Sequence, residues 1–99
     1  MYRIVWEFEP DPARVKDFER EYGPQGDWGR FFRRGAGYLG TELYRSTTNP
    51  ARYLTVDRWV SRVDYDAFRS AFHAEYAALD ARCEALTRTE RLVAAAEDP

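Results

Sequence analysis

Glu42 and Asp57 each sit inside a run of aromatic and β-branched residues, Tyr38 to Arg45 and Arg52 to Trp59. Paired as a hairpin, the two runs place both carboxyls on one aromatic face, beside Tyr38, Tyr44, Tyr53, Thr55 and Trp59. Two carboxyls on such a face push one pKa upward and supply a general base. Ion pairing to arginine, or exposure at the sheet edge, is the structural reading of the same pair. Trp59 is a core anchor under Tyr65, a wall that stacks on a flat substrate, or both. Tyr65 carries a hydroxyl that must be satisfied if it is core, and that can hydrogen-bond or deprotonate a phenol if it is not. His73 lies beside an apolar stripe between Arg69 and Ala77, a solvated position. Cys83 continues that stripe and reads as a buried structural thiol. Neither has a second ligand at metal spacing, so no metal site is expected. No glycine-rich phosphate loop or serine elbow is present.

The elements that must position these residues follow from periodicity. Tyr2 to Glu9 alternates, with Tyr2, Ile4, Trp6 and Phe8 on one face, and reads as a strand. Asp11-Pro12 reads as a helix start with Pro at the first helical position, and Val15, Phe18 and Tyr22 give the buried stripe. In Gln25 to Gly35, Asp27 is expected to cap a short helix holding Trp28, Phe31 and Phe32. Two strands then flank the turn Ser46-Thr47-Thr48-Asn49-Pro50. A long helix is expected from Ser61, capped by Ser61 with Asp64. Its stripe is Tyr65, Phe68, Phe72, Tyr76, Leu79, Cys83 and Leu86. Thr87 to Ala96 is a weaker last strand.

With 99 residues the chain has room for one domain, residues 1–99. Aromatic residues make up 16% of it, more than one thin core needs, so some should line a pocket or an interface. A net charge of -2 with acids and bases interspersed offers no polybasic surface, so nucleic acid is not an expected partner. The single cysteine excludes an intrachain disulfide. No long apolar run or charged-then-apolar leader occurs, so no membrane partner and a cytoplasmic location are expected.

The order β-α-β-β-α-β, with a short extra helix before the second strand, predicts an α+β fold. Right-handed crossovers make it a ferredoxin-like sandwich, an antiparallel four-stranded sheet with helices on one face. The hairpin register is expected to set Leu43 opposite Leu54 and Thr41 opposite Val56. That gathers Leu39, Leu43, Leu54 and Val56 on an aliphatic face, opposite the face of Trp59. One layer of helices covers one face only. The aliphatic face is therefore expected to meet a second copy, as an isologous homodimer.

The segments Gly37-Tyr38-Leu39-Gly40-Thr41-Glu42-Leu43, Arg52 to Trp59, Ser61 and Tyr65-Asp66-Ala67-Phe68 resemble the antibiotic biosynthesis monooxygenase domain family. The resemblance covers nearly the whole chain in element order and is sharpest from Gly35 to Phe68. It implies a dimeric α+β barrel, with a pocket between sheet and helices in each subunit. Some members oxidise polycyclic phenols to quinones with molecular oxygen and no cofactor. That branch carries an Asn four residues before the strand-ending Trp and a Tyr six after it. Trp59 and Tyr65 match, while Thr55 stands at the Asn position. A heme-degrading branch carries a helical Trp and a later His. Those positions are Phe68 and Ala78, and His73 falls five residues early, about 140° around a helix from the needed face.

The resemblance therefore implies a cofactor-independent monooxygenase for an aromatic or polycyclic phenol. Tyr65 and Asp57 are its expected catalytic residues, with Trp59, Thr55, Tyr38, Tyr53 and Glu42 contacting substrate. The alternative is a non-catalytic module that binds a small aromatic ligand, or assembles, on the same scaffold. An acid–base isomerase would need Asp57, Glu42 or His73 in the pocket.

Overall fold

The structure, a computed structural model, describes residues 1–99. Strand β1 (Tyr2–Pro10) leads through helices α1 (Val15–Tyr22) and α2 (Asp27–Phe32) to the hairpin β2 (Tyr38–Arg45) and β3 (Tyr53–Trp59). Helices α3 (Arg62–Ala71) and α4 (His73–Cys83) follow, then a single 3₁₀ turn at Glu84–Leu86 and strand β4 (Thr87–Glu97). All neighbouring strands are antiparallel, in the order β2-β3-β1-β4. This is the ferredoxin-like α+β fold, with β1 and β3 central.

The alternation in β1 acts as its sequence predicts. Tyr2, Ile4 and Phe8 are buried in the core, and their partners Trp59, Asp57 and Tyr53 share that face. The core is aromatic throughout. Phe18 and Tyr22 of α1 stack with centroids 4.5 Å apart, and Phe31 and Phe32 of α2 meet Phe68 of α3 edge-on. Such tilted and T-shaped pairs suit the ring quadrupole better than face-to-face stacks.

The hairpin register departs from expectation at one point. Tyr38 pairs with Trp59 as expected, but the next pair is Gly40 with Arg58, leaving Leu39 as the extra residue of a bulge. Gly40 takes φ +143, which only glycine adopts without strain, and lets the strand bend there. Every later pair is shifted by one residue, so Leu43 faces Thr55 and Thr41 faces Asp57. The expected aliphatic face is thereby corrected. Leu43 packs against the helix-side core, whereas Glu42 and Tyr44 turn to the open face beside Val56 and Leu54. The open face is mixed: Val5, Leu54 and Val56 run down its centre between Arg3, Glu7, Glu42 and Arg58.

Three helix expectations also change. Asp11 accepts the Ala13 backbone N–H at 2.9 Å, and the Arg14 N–H reaches the Asp11 carbonyl at 2.8 Å. This turn competes with the helix, which begins only at Val15. The long helix breaks at Phe72 (φ -120, ψ 27), whose ring is held by Phe68 and Phe31 and covered by the Arg34 guanidinium. Ser61 caps α3 by accepting the Asp64 N–H at 3.1 Å. Gly26, not Asp27, occupies the N-cap of α2, and Asp27 pairs with Arg30 and Arg82. No helix is long and apolar enough to cross a membrane.

Candidate functional site

Between the helix-side face of the sheet and the helices lies a cavity of about 260 Å³. That is a little below the usual range for small-molecule sites, about 300–1,000 Å³, and gives room for one compact flat molecule. Its wall is aromatic: Trp6 and Phe8 come from β1, Tyr22 from α1, Trp28 and Phe32 from α2, and Tyr76 from α4. Its floor is polar, made by Thr41 of β2 with Thr55 and Asp57 of β3. The exposed side chains of Arg69, Asp80 and Glu90 form the mouth.

The floor follows directly from the register. Thr41 and Asp57 are cross-strand partners, and the Thr41 hydroxyl donates to Asp57 Oδ1 at 2.7 Å. The Tyr38 hydroxyl lies 2.6 Å from the same Thr41 oxygen. Because Thr41 has one proton and gives it to the carboxylate, Tyr38 is the donor in that contact. Tyr38, Thr41 and Asp57 thus form a directed chain that commits one carboxylate oxygen and leaves the other without a protein donor. Burial raises the Asp57 pKa to about 6, against the opposing pull of the Thr41 hydrogen bond. Two residues before it on the same face, Thr55 is only 4% exposed, and its hydroxyl makes no hydrogen bond within the protein. Asp57 and Thr55 therefore present one free acceptor and one free hydroxyl to the cavity.

Of the residues singled out by sequence, Thr55 and Asp57 are the two that line the cavity. Trp59 is fully buried behind the floor, 5.2 to 5.8 Å from the rings of Tyr38, Tyr65, Phe68 and Phe32. Tyr65 packs on Trp59, and its hydroxyl accepts from Arg69 Nη1 at 2.9 Å, so it reaches the mouth only through that arginine. Tyr38 acts through Thr41. Tyr53 lies at the far end of β3, where it donates to Glu19 at 2.5 Å. Glu42 is on the open face, accepting from Tyr44 and facing Arg58 at 3.7 Å, so the expected carboxylate pair with Asp57 does not form. His73 is exposed and Cys83 is buried.

Several lining residues carried a usable signal. Trp6 was on the correct face by alternation, and Tyr76 and Asp80 share one helix face at i, i+4 spacing. Arg69 lies over Tyr76 at 3.6 Å to the ring centroid. Glu90 carried none, because a register shift at Val93 interrupts the alternation of β4.

A sequence model for antibiotic biosynthesis monooxygenases matches residues 1–79. The chain belongs to this family. Among solved structures bearing the antibiotic biosynthesis monooxygenase name, one from Deinococcus radiodurans is 14% identical with a TM-score of 0.74, over 100% of this chain and 93% of the other. One from Bordetella bronchiseptica is 19% identical with a TM-score of 0.72, over 99% and 96%. One from Nitrosomonas europaea is 14% identical with a TM-score of 0.67, over 99% and 98%. At these identities the likeness is one of fold. A comparison with curated proteins finds no match. Membership in the antibiotic biosynthesis monooxygenase family supports a general monooxygenase-like role.

Proposed function

We propose that the protein is a cofactor-independent monooxygenase that oxidises a small aromatic phenol in this cavity. The observation that carries the reading is Asp57, a carboxyl with one oxygen held by Thr41, a pKa of about 6 and an aromatic enclosure around it. Such a group is ionised at neutral pH yet still basic enough to take a proton, as a general base should be. Asp57 removes a proton from the phenol-activated carbon, and the electron-rich ring carries the resulting negative charge. That species gives electrons to molecular oxygen. A CH₂ group becomes a carbonyl, one oxygen atom stays on carbon, and the other leaves as water with the two hydrogens lost.

In this scheme Thr55 orients the substrate oxygen, while Trp6, Trp28 and Tyr76 hold the ring. Thr41 and Tyr38 position Asp57, and Tyr65 positions Arg69. Trp59 supports the floor without touching substrate. Oxygen consumption with a panel of polycyclic phenols and anthrone-like compounds is the test. Uptake above the spontaneous rate, lost in Asp57→Asn, supports the proposal. No acceleration on any member of the panel overturns it.

A second reading, a ligand-binding module without turnover, draws on Thr55 standing where the oxygenating relatives carry an amide. It expects quenching of tryptophan fluorescence by the same compounds, with their oxidation rates unchanged. Either activity is proposed to reside in a homodimer. The second copy would cover the open sheet face around Val5, Leu54 and Val56, away from the cavity.

A further inference from the structure

We infer that the site takes an aromatic ligand carrying a protonated amine, with the ring inside the cavity and the ammonium at its mouth. The inference rests on the reading of this cavity as an aromatic-binding site and adds the charge of what it holds.

Three carboxylates line the cavity, those of Asp57, Asp80 and Glu90, against one guanidinium, that of Arg69. None of the four is in an ion pair, and Asp80 and Glu90 have no hydrogen-bond partner either. Acidic side chains elsewhere are mostly ion-paired, Glu7, Glu9, Asp17, Asp27 and Glu42 among them. Asp80 of α4 and Glu90 of β4 are near enough that Asp80 adds to the upward shift that burial gives the Glu90 carboxyl. The single guanidinium, stacked over Tyr76 and bonded to the Tyr65 hydroxyl, keeps its charge and interacts with Asp80, so it offsets one carboxylate of the three. The mouth therefore holds an uncompensated negative charge, and an incoming cation relieves it.

Two further features point to a ligand with both polar and aromatic parts. Thr55, 4% exposed, keeps an unpartnered hydroxyl on the cavity floor. Trp6, Trp28 and Tyr76 present aromatic faces, which receive a flat ring and favour a nearby cation. A carboxylated ring would instead set its charge against three carboxylates, with one guanidinium to offset one of them.

The test uses three hydroxynaphthalene probes of one skeleton, bearing a methyl, an aminomethyl or a carboxylate substituent. Binding is followed by tryptophan fluorescence at pH 7.5. The aminomethyl probe is expected to bind at least about threefold tighter than the methyl probe, a modest ratio suited to exposed rim charges. The carboxylate probe should bind weakest. The double variant Asp80→Asn, Glu90→Gln should lose the preference for the amine and leave the affinity of the methyl probe unchanged. Equal binding of all three probes overturns the charge assignment and leaves the aromatic site standing, as does a preference that survives in the double variant. If the methyl probe and both others fail to bind, the aromatic site itself falls, and this inference with it.

Discussion

At the scale of single residues, Asp57 has two testable consequences that oppose each other. As a base it works only when ionised, so kcat/KM for a phenolic substrate should rise through about pH 6 and then level off. Thr41→Val removes the hydrogen bond that favours the ionised form, and the rise should move to higher pH. A carboxyl titration by NMR, which needs no turnover, checks the same shift. Asp57→Asn should lower kcat by about 100-fold or more. The same substitution should stabilise the fold. The folded carboxyl keeps its proton to about pH 6 and the unfolded one only to about 4, so between those values the folded state binds more protons. Stability therefore falls as pH rises through that window, and the cost persists above it. Two units correspond to roughly 3 kcal/mol as a ceiling, which Asn avoids while still accepting from Thr41. Urea unfolding at pH 7 should show the gain, and it should shrink toward pH 4. The expectation of a carboxylate on an aromatic face was legible in the sequence for Asp57. Its partner was not Glu42 but Thr41, because one inserted residue decides which of two neighbours points inward.

At the scale of elements, the bulge at Leu39 shows where pattern reading reaches its limit. The aromatic and aliphatic residues of β2 and β3 segregate well in an unbroken register, yet the chain uses that register only at Tyr38 and Trp59. Gly40 inside a strand was the available signal, since an isolated strand glycine marks a bulge or a close approach. The β1 alternation, the Ser61 cap and the stripe of α3 were legible because each depends on local spacing. The break at Phe72 was not, because it is held by Phe31 and Arg34 from elsewhere in the chain. The support beneath the floor yields a prediction of its own. A Cβ on Gly35 would lie 2.6 Å from Phe68 Cδ1 and 3.0 Å from the Trp59 ring. Both rings belong to fully packed residues, 2% and 0% exposed, so neither can yield cheaply. Gly35→Ala should cost about 1–3 kcal/mol by overpacking, seen in thermal unfolding. Trp59→Ala, which empties the same place, should cost about 3–5 kcal/mol. If Trp59→Ala were nearly neutral while ligand binding vanished, Trp59 would be a pocket wall after all.

At the scale of the whole molecule, the helices cover one face of the sheet, and the other carries Val5, Leu54 and Val56 among charges of both signs. Leu54 and Val56 lie on β3, one of the two central strands, so a partner seated there would bury them near a dyad and pair the surrounding Arg and Glu reciprocally. Strand β4 adds to the demand. It is exposed along nearly its whole length, with Leu92 48% and Val93 44% exposed, and it leaves one long edge of the sheet unpaired. Leu54→Asp should therefore turn the proposed homodimer into a folded monomer in sedimentation velocity, with the circular dichroism spectrum unchanged. Leu43→Asp provides the contrast that locates the contact. Leu43 packs against the helix-side core, so this change should unfold the chain rather than release a stable monomer. Since the cavity lies on the opposite side of the sheet, the Leu54→Asp monomer should still bind the neutral naphthol. A Leu54→Asp protein that stays dimeric would move the contact to the β4 edge. Loss of naphthol binding on dissociation would mean that the partner shapes the site as well as the assembly.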